Sequence, residues 1–375
     1  VEDLIQREDM VVTVSNTGYI KRVPLSSYRS QRRGGKGRSG MSTRDEDFVS
    51  QVFVVNTHTP VLFFSSTGIA YKLKVYKLPL GSPTARGQAM INILPLEQGE
   101  TITTLMPMPE DEKAWKNMFV IFSTASGNIR RNRLSDFESI KANGKIAMKL
   151  NDGDSLISVQ VATEDDDVLL AASGGKSIRF PVSDVRVFSG RTSTGVRGIK
   201  LKEKDEVISM SIVRHVDFKT EERDTYLKLQ SARRRAARGE ADDELVTDPV
   251  VAGLGQERFD EMEVMEEFIL TVTVNGYGKR TSAYEYRIAG RGGQGITNIE
   301  TSKRNGNVIA SFPVNSTDQL IMVTDGGQLI RTTVVDIRIA GRTTQGVTLF
   351  KTSEGESVVS VSRLTEDDEI GRAHV

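Results

Sequence analysis

The sequence contains no cysteine. Disulfides, cysteine-ligated zinc and thiol catalysis are excluded together, and the absence fits a reducing compartment. Three histidines, His58, His215 and His374, stand too far apart for the spacing of a metal site. No GxxxxGK[ST] phosphate loop occurs, so a nucleotide would have to bind elsewhere. No apolar run approaches the roughly 18 residues that cross a bilayer, and no secretory signal opens the chain. The expectation is a soluble cytoplasmic protein with no membrane association, and a start at Val1 reads as a fragment or processed product. Aromatic residues are scarce at 6%, with Trp115 the single tryptophan, while glycines number 33. That balance suits short strands joined by tight turns better than a helical bundle.

Net charge is also lacking, since basic and acidic residues both total 50. Their distribution is uneven. Between positions 217 and 267 stand 8 basic and 15 acidic residues, a local charge of −7 that leaves +7 for the remainder. Local patches, rather than the neutral total, decide electrostatic steering.

A repeat is present. A glycine recurs before a strand-like segment as Gly18 (TGYIKR), Gly68 (TGIAYK), Gly127 (SGNIRR), Gly175 (GGKSIR), Gly276 (NGYGKR) and Gly327 (GGQLIR), at intervals of 50, 59, 48, 101 and 51. Four residues after each stands a basic residue: Arg22, Lys72, Arg131, Arg179, Arg280 and Arg331. About nineteen residues after each comes a second glycine: Gly37, Gly87, Gly144, Gly195, Gly295 and Gly346. The last two repeats share Arg287-Ile-Ala-Gly-Arg-Gly-Gly-Gln-Gly and Arg338-Ile-Ala-Gly-Arg-Thr-Thr-Gln-Gly. Apolar segments at 10–14, 61–64, 119–122, 168–172, 268–274 and 320–323 read as strands, each ending at the turn glycine. Alternating segments at 157–161, 208–212 and 358–361 close the repeats. Periods near 50 built from about four strands predict an all-β, toroidal array of blades.

The repeats cover approximately 9–55, 56–110, 116–163, 164–216, 266–316 and 317–365. The long fourth interval holds an insertion at 217–265, helical or disordered, with helical patterning at 221–238 and 257–267 around a loop at 248–255. It reads as a solvated acidic excursion that contributes little to packing between repeats. Arg233, Arg234, Arg235 and Arg238 would be its contacts with DNA or another subunit.

The first repeat carries Gln31-Arg32-Arg33-Gly34-Gly35-Lys36-Gly37, followed by Arg38. Glycines let backbone lie close to a surface, and clustered cations with free N–H groups suit phosphate oxygens better than base edges. A flexible basic loop without a fixed partner is the alternative. The six basic residues that follow the turn glycines divide the same way, into a track of positive charge for DNA or charges that keep strand edges unpaired and soluble.

With this run the chain resembles the C-terminal domain of the DNA gyrase A protein, whose seven-residue signature box the 31–37 run matches residue for residue. The surroundings match as well, in Glu8-Asp9-Met10-Val11-Val12 and in Asn275-Gly276-Tyr277-Gly278-Lys279-Arg280-Thr281. The resemblance spans the chain apart from the insertion and the last few residues. It implies a single six-bladed β-pinwheel domain whose neighbouring blades exchange strands. It further implies double-stranded DNA bent around a basic rim, as part of an A2B2 complex with the rest of the gyrase A protein and with the gyrase B protein. In that complex the enzyme introduces negative supercoils near the nucleoid, using ATP and Mg bound elsewhere, while the isolated domain would be monomeric. The chain itself would bind no cofactor and no metal. The family's cleavage tyrosine follows an arginine, whereas none of the eight tyrosines here does, so no catalytic residue is assigned. Two features depart from the pattern: the insertion, and an ending without a long acidic tail, which puts tail-based regulation in doubt. Asn151-Asp-Gly-Asp154 looks like the start of a calcium loop but lacks the later ligands, and a hairpin turn accounts for it. The corresponding domain of topoisomerase IV typically lacks an intact box. A protein-recognition propeller would show Gly-His and Trp-Asp signatures.

Overall fold

The computed structural model describes residues 1–29, 47, 49–240 and 244–364. Six antiparallel sheets follow one another along the chain. Each has a central strand that ends at the turn glycine: Asp9–Ser15, Pro60–Ser65, Phe119–Thr124, Asp166–Ala172, Phe268–Thr273 and Gln319–Thr324. These strands are buried on both faces because each blade is sandwiched between its neighbours. That is why they read as continuous apolar runs rather than as alternations.

On one side of each central strand pairs the strand after the turn, from Tyr19–Pro24 in the first blade to Leu329–Thr333 in the sixth. On the other side pairs the strand that closes the repeat, such as Val49–Asn56 or Val207–Arg214. The closing strands of all six blades line one central cavity, to which Val52, Thr103, Gln160, Ile212, Phe312 and Val361 contribute.

A fourth, two-residue strand is borrowed from the following repeat. Gln88–Ala89 adds to Tyr19–Pro24, Lys145–Ile146 to Ile69–Lys74, and Val196–Arg197 to Asn128–Arg133. Ile296–Thr297 adds to Lys176–Pro181 and Val347–Thr348 to Tyr277–Ser282 in the same way. Among the described residues the sixth sheet has three strands. Each borrowed strand directly follows a second glycine of the repeat, so that glycine marks the point where one repeat crosses to the previous blade. Gly295 has φ +77°, and a Cβ there would overlap the carbonyl oxygen of Ser177 in that blade. A side chain is excluded by both backbone conformation and space.

Apolar clusters join blades one and two, two and three, three and four, and five and six. The junction of blades four and five has a smaller cluster of Leu169, Val213, Ile269 and Tyr286. The insertion sits beside it and is not a solvated excursion. Its helices, Thr220–Ala237 and Gln256–Met265, bury Tyr226, Leu229, Phe259 and Met262 with Phe218 against Tyr284 of blade five. Tyr226 and Tyr284 meet edge to face at 5.4 Å, and the Ser282 hydroxyl donates to Glu266 at 2.7 Å. The stripe at positions 226, 229 and 232 has helical spacing, but it lies among polar and basic residues that hide it. The resemblance to a calcium loop also dissolves: Asp154 Oδ1 accepts the Ser126 and Ser155 N–H groups at 3.0 and 2.9 Å, fastening the turn.

Candidate nucleic-acid interface

The basic residues four positions after the turn glycines do not form an exposed track. Arg131, Arg179 and Arg280 are buried, Arg22 and Lys72 are half-buried, and Arg331 is exposed. Strand alternation turns this position toward the segment by which the next repeat crosses over. Arg22, Arg131, Arg179 and Arg280 each form an isolated parallel bridge to that segment, at Leu80, Val187, Ile288 and Ile339. Their side chains are spent there too. Arg22 Nε donates to the Leu78 carbonyl at 2.9 Å and Arg280 Nε to the Ile337 carbonyl at 2.8 Å. Lys72 Nζ donates to the Glu138 carbonyl.

Arg179 forms the deepest of these knots. Its Nε pairs with Asp167 at 2.9 Å, and its two terminal nitrogens reach the Ala283 and Arg214 carbonyls, each at 2.9 Å. Asp167 is fully buried. Arg131 stacks over Phe119 at 4.4 Å and pairs with Glu164 at 3.5 Å. Burial lowers the pKa of Arg22, Lys72, Arg131 and Arg280. These groups hold neighbouring blades together, which corrects the expected rim track for all but Arg331.

The rim is formed instead by the crossing segments that precede the second glycines. Arg186, Arg287 and Arg338 occupy matching places there in repeats four, five and six, and all three are exposed. A second arginine follows in each. Arg191 Nε donates to the Ile146 carbonyl at 3.0 Å, Arg291 Nη1 to the Arg197 carbonyl at 3.0 Å, and Arg342 Nη1 to the Thr297 carbonyl at 2.8 Å. The accepting residue in each case belongs to the borrowed strand of the preceding repeat. The shared Arg-Ile-Ala-Gly-Arg phrase is the sequence signal for both arginines, although in one dimension it establishes only the repeat.

Gln31, Arg32, Arg33, Gly34, Gly35, Lys36, Gly37 and Arg38 lie outside the described residues. In sequence register they fall in the crossing segment of the first repeat, and Arg33 corresponds to Arg191, Arg291 and Arg342. Among the insertion arginines, Arg233 Nε donates to the Thr247 carbonyl at 3.0 Å and stacks over Phe259 at 4.3 Å. Arg235 and Arg238 pair with Glu240. No grouping of metal-ligating side chains occurs among the described residues. Among them, too, no helix is long and apolar enough to cross a membrane.

The family model described as "DNA gyrase C-terminal domain, beta-propeller" matches residues 9–56, 59–107, 119–163, 166–214, 267–315 and 318–365, one match per blade. The chain belongs to the DNA gyrase C-terminal domain family. The matched segments leave out the whole 217–265 insertion. The DNA gyrase A protein of Rickettsia bellii is 52% identical over 370 residues, which cover 98% of this chain and 41% of that protein. The Escherichia coli gyrase A protein is 40% identical over 366 residues, covering 98% of this chain and 36% of its own length. The chain thus spans about two fifths of the curated relatives it matches, and it matches their C-terminal part. A solved DNA gyrase A C-terminal domain superposes with a TM-score of 0.62 at 25% identity, covering 95% of this chain and 99% of the other. The C-terminal domain of a DNA topoisomerase IV superposes with a TM-score of 0.74 at 21% identity, covering 99% and 97%. The second likeness is one of fold.

Proposed function

We propose that this chain binds duplex DNA along its rim, bends it and wraps it, so that a gyrase holoenzyme introduces negative supercoils. The observation that carries this is the set of exposed arginines, Arg186, Arg287 and Arg338, at one register position in three consecutive crossing segments. Repetition of one contact at a regular angular step suits a ligand that is itself periodic and uniformly charged. Such contacts address phosphates rather than bases and position DNA without reading its sequence. By register the 31–37 box adds Arg33 to a second row, that of Arg191, Arg291 and Arg342, in the first repeat.

Chemistry belongs outside this chain: we assign it no catalytic residue, and the cleavage tyrosine, ATP and Mg to the remainder of an A2B2 complex. The proposed setting is the bacterial cytoplasm, on the nucleoid. If about 8–12 phosphates are neutralised, log K against log[salt] should slope at roughly −7 to −11. A slope near −2, or strong discrimination between duplex sequences, would rule out a wrapping surface.

A further inference from the structure

Three residues after the turn glycine stands a second repeated position, and in blades one, three and five it is a buried cation: Lys21, Arg130 and Lys279, each 1% exposed or less. None makes an ion pair among the described residues. Each reaches instead into the crossing segment of the next repeat and gathers backbone carbonyls. Lys21 Nζ donates to the carbonyls of Ser82, Pro83 and Ala85 at 3.1, 2.7 and 2.8 Å. Arg130 Nη1 donates to those of Arg191 and Ser193, each at 2.8 Å. Lys279 Nζ donates to those of Gly341, Arg342 and Thr344 at 2.7, 3.0 and 3.1 Å.

The three loops are equivalent, and they share an exposed threonine three residues before the second glycine: Thr84, Thr192 and Thr343. In a trans peptide the N–H points opposite to the carbonyl of the residue before it. Inward carbonyls at Pro83, Arg191 and Arg342 therefore turn the N–H groups of Thr84, Thr192 and Thr343 outward. The same holds one step on, for Arg86, Thr194 and Gln345. None of these six N–H groups has an acceptor among the described residues. The other described loops lack the underlying cation. Beneath them stand Tyr71, whose hydroxyl donates to Glu100 at 3.0 Å, and Ile178.

We propose that the loops 82–86, 190–194 and 341–345 are three binding sites for a DNA backbone phosphate. Each is made of two outward N–H groups and a threonine hydroxyl, held in place by the buried cation of the preceding blade. This rests on the wrapping function proposed above and says which elements of the rim grip. A buried charge with no carboxylate at ion-pair distance projects a positive potential through the thin loop that covers it, and aligned peptide dipoles add to it; at the third loop Glu285, which accepts from the Arg342 N–H at 3.2 Å, offsets part of that potential. An anion outside the loop supplies the missing opposite charge. Blades one, three and five thus give alternate grip points of a kind distinct from the exposed arginines. Lys21, Arg130 and Lys279 are positioning residues, since they act through the loop.

The test compares the intact chain with K21M/K279M, which keeps side-chain length and removes the charge, and with T84E/T343E, which leaves both cages untouched and places a carboxylate on the outer face. Each pair should reduce the salt slope of duplex binding by about two units, with a several-fold loss of affinity. Hydroxyl-radical protection should weaken at the corresponding stretches of the wrapped DNA. Cooperative melting reports whether each variant is folded. A folded K21M/K279M variant with an unchanged slope overturns the proposal; if that variant does not fold, an unchanged slope in T84E/T343E overturns it. Inorganic sulfate, followed by the amide shifts of Thr84, Thr192 and Thr343, probes the loops without DNA. A chain that binds sulfate there but does not wrap duplex retains the anion sites and loses the wrapping function. No sulfate response, in a chain that does wrap, overturns the sites alone.

Discussion

The Lys279 ammonium lies 2.7 Å from the carbonyl oxygen of Gly341, 62 residues further along the chain in the crossing segment of the next repeat. Lys21 has the same relation to Pro83, at the same separation of 62 residues. The blades are thus fastened by polar contacts between consecutive repeats as well as by apolar burial, and both kinds of contact can be tested.

Burial brings the pKa of Lys21 and Lys279 down to about 8. At Lys279 the more distant Glu285 and Glu300 oppose the shift, while Arg342 adds to it. Above pH 8 the folded chain has released protons that the unfolded chain keeps until about pH 10.5. Stability should therefore rise with pH from 8 to 9.5, by at most about 2 kcal/mol per lysine. DNA affinity should fall over the same interval, because a bound phosphate favours the charged form. Above pH 10 the buried Tyr284 and Tyr226, whose pKa values burial raises, act in the opposite direction. Thermal unfolding and duplex titrations between pH 7 and 9.5 would measure both trends. Parallel rather than opposed trends would contradict the assignment.

Arg179→Met should be far more damaging than Arg331→Ala. The first removes the guanidinium from fully buried Asp167, and breaking such a pair costs about 3–5 kcal/mol. His215, 2.7 Å from the other Asp167 oxygen, would offset part of that loss. The second substitution removes an exposed side chain and should stay within about 0.5 kcal/mol. Urea denaturation of the two variants would decide, and equal effects would show that position along the repeat, rather than burial, sets the contribution.

Tyr226→Ala should destabilise the chain by about 3–5 kcal/mol, because the ring is fully buried between Phe259 and Tyr284. Removal of 219–264 should likewise lower the melting temperature, since it uncovers Tyr284 and takes away the support of blade five. A deletion variant that melts at the temperature of the parent would return the insertion to a passive role.

Neutralising the box by Arg32→Ala, Arg33→Ala and Lys36→Ala should separate wrapping from binding. Other blades would still hold phosphates, so affinity falls in part, with the slope shrinking by about one unit per contact. Bending a duplex costs on the order of 1–6 kcal/mol and needs contacts that continue along the arc. Loss of the first repeat's contacts should free one end of the wrapped segment. In the full enzyme, negative supercoiling should be lost while ATP-dependent relaxation persists. Supercoiling at the parental rate would remove the role assigned to the box.

The sequence by itself determined the number of blades and their family. Turn glycines, buried central strands and the 31–37 box are local properties: backbone conformation and apolar runs stay visible in one dimension. Tertiary structure decided which cations are available. Arg22, Arg131, Arg179 and Arg280 stand in the same kind of motif as exposed Arg331, yet four of them face the next repeat and one faces solvent. A strand's alternation shows which residues share a face but not what covers that face, and here the cover comes from residues about 60 positions away. For the same reason Lys21, Arg130 and Lys279 look like ordinary surface charges until the crossing segments close over them. The insertion's role was decided at the same level, because only folding brings Tyr226 and Phe259 to Tyr284.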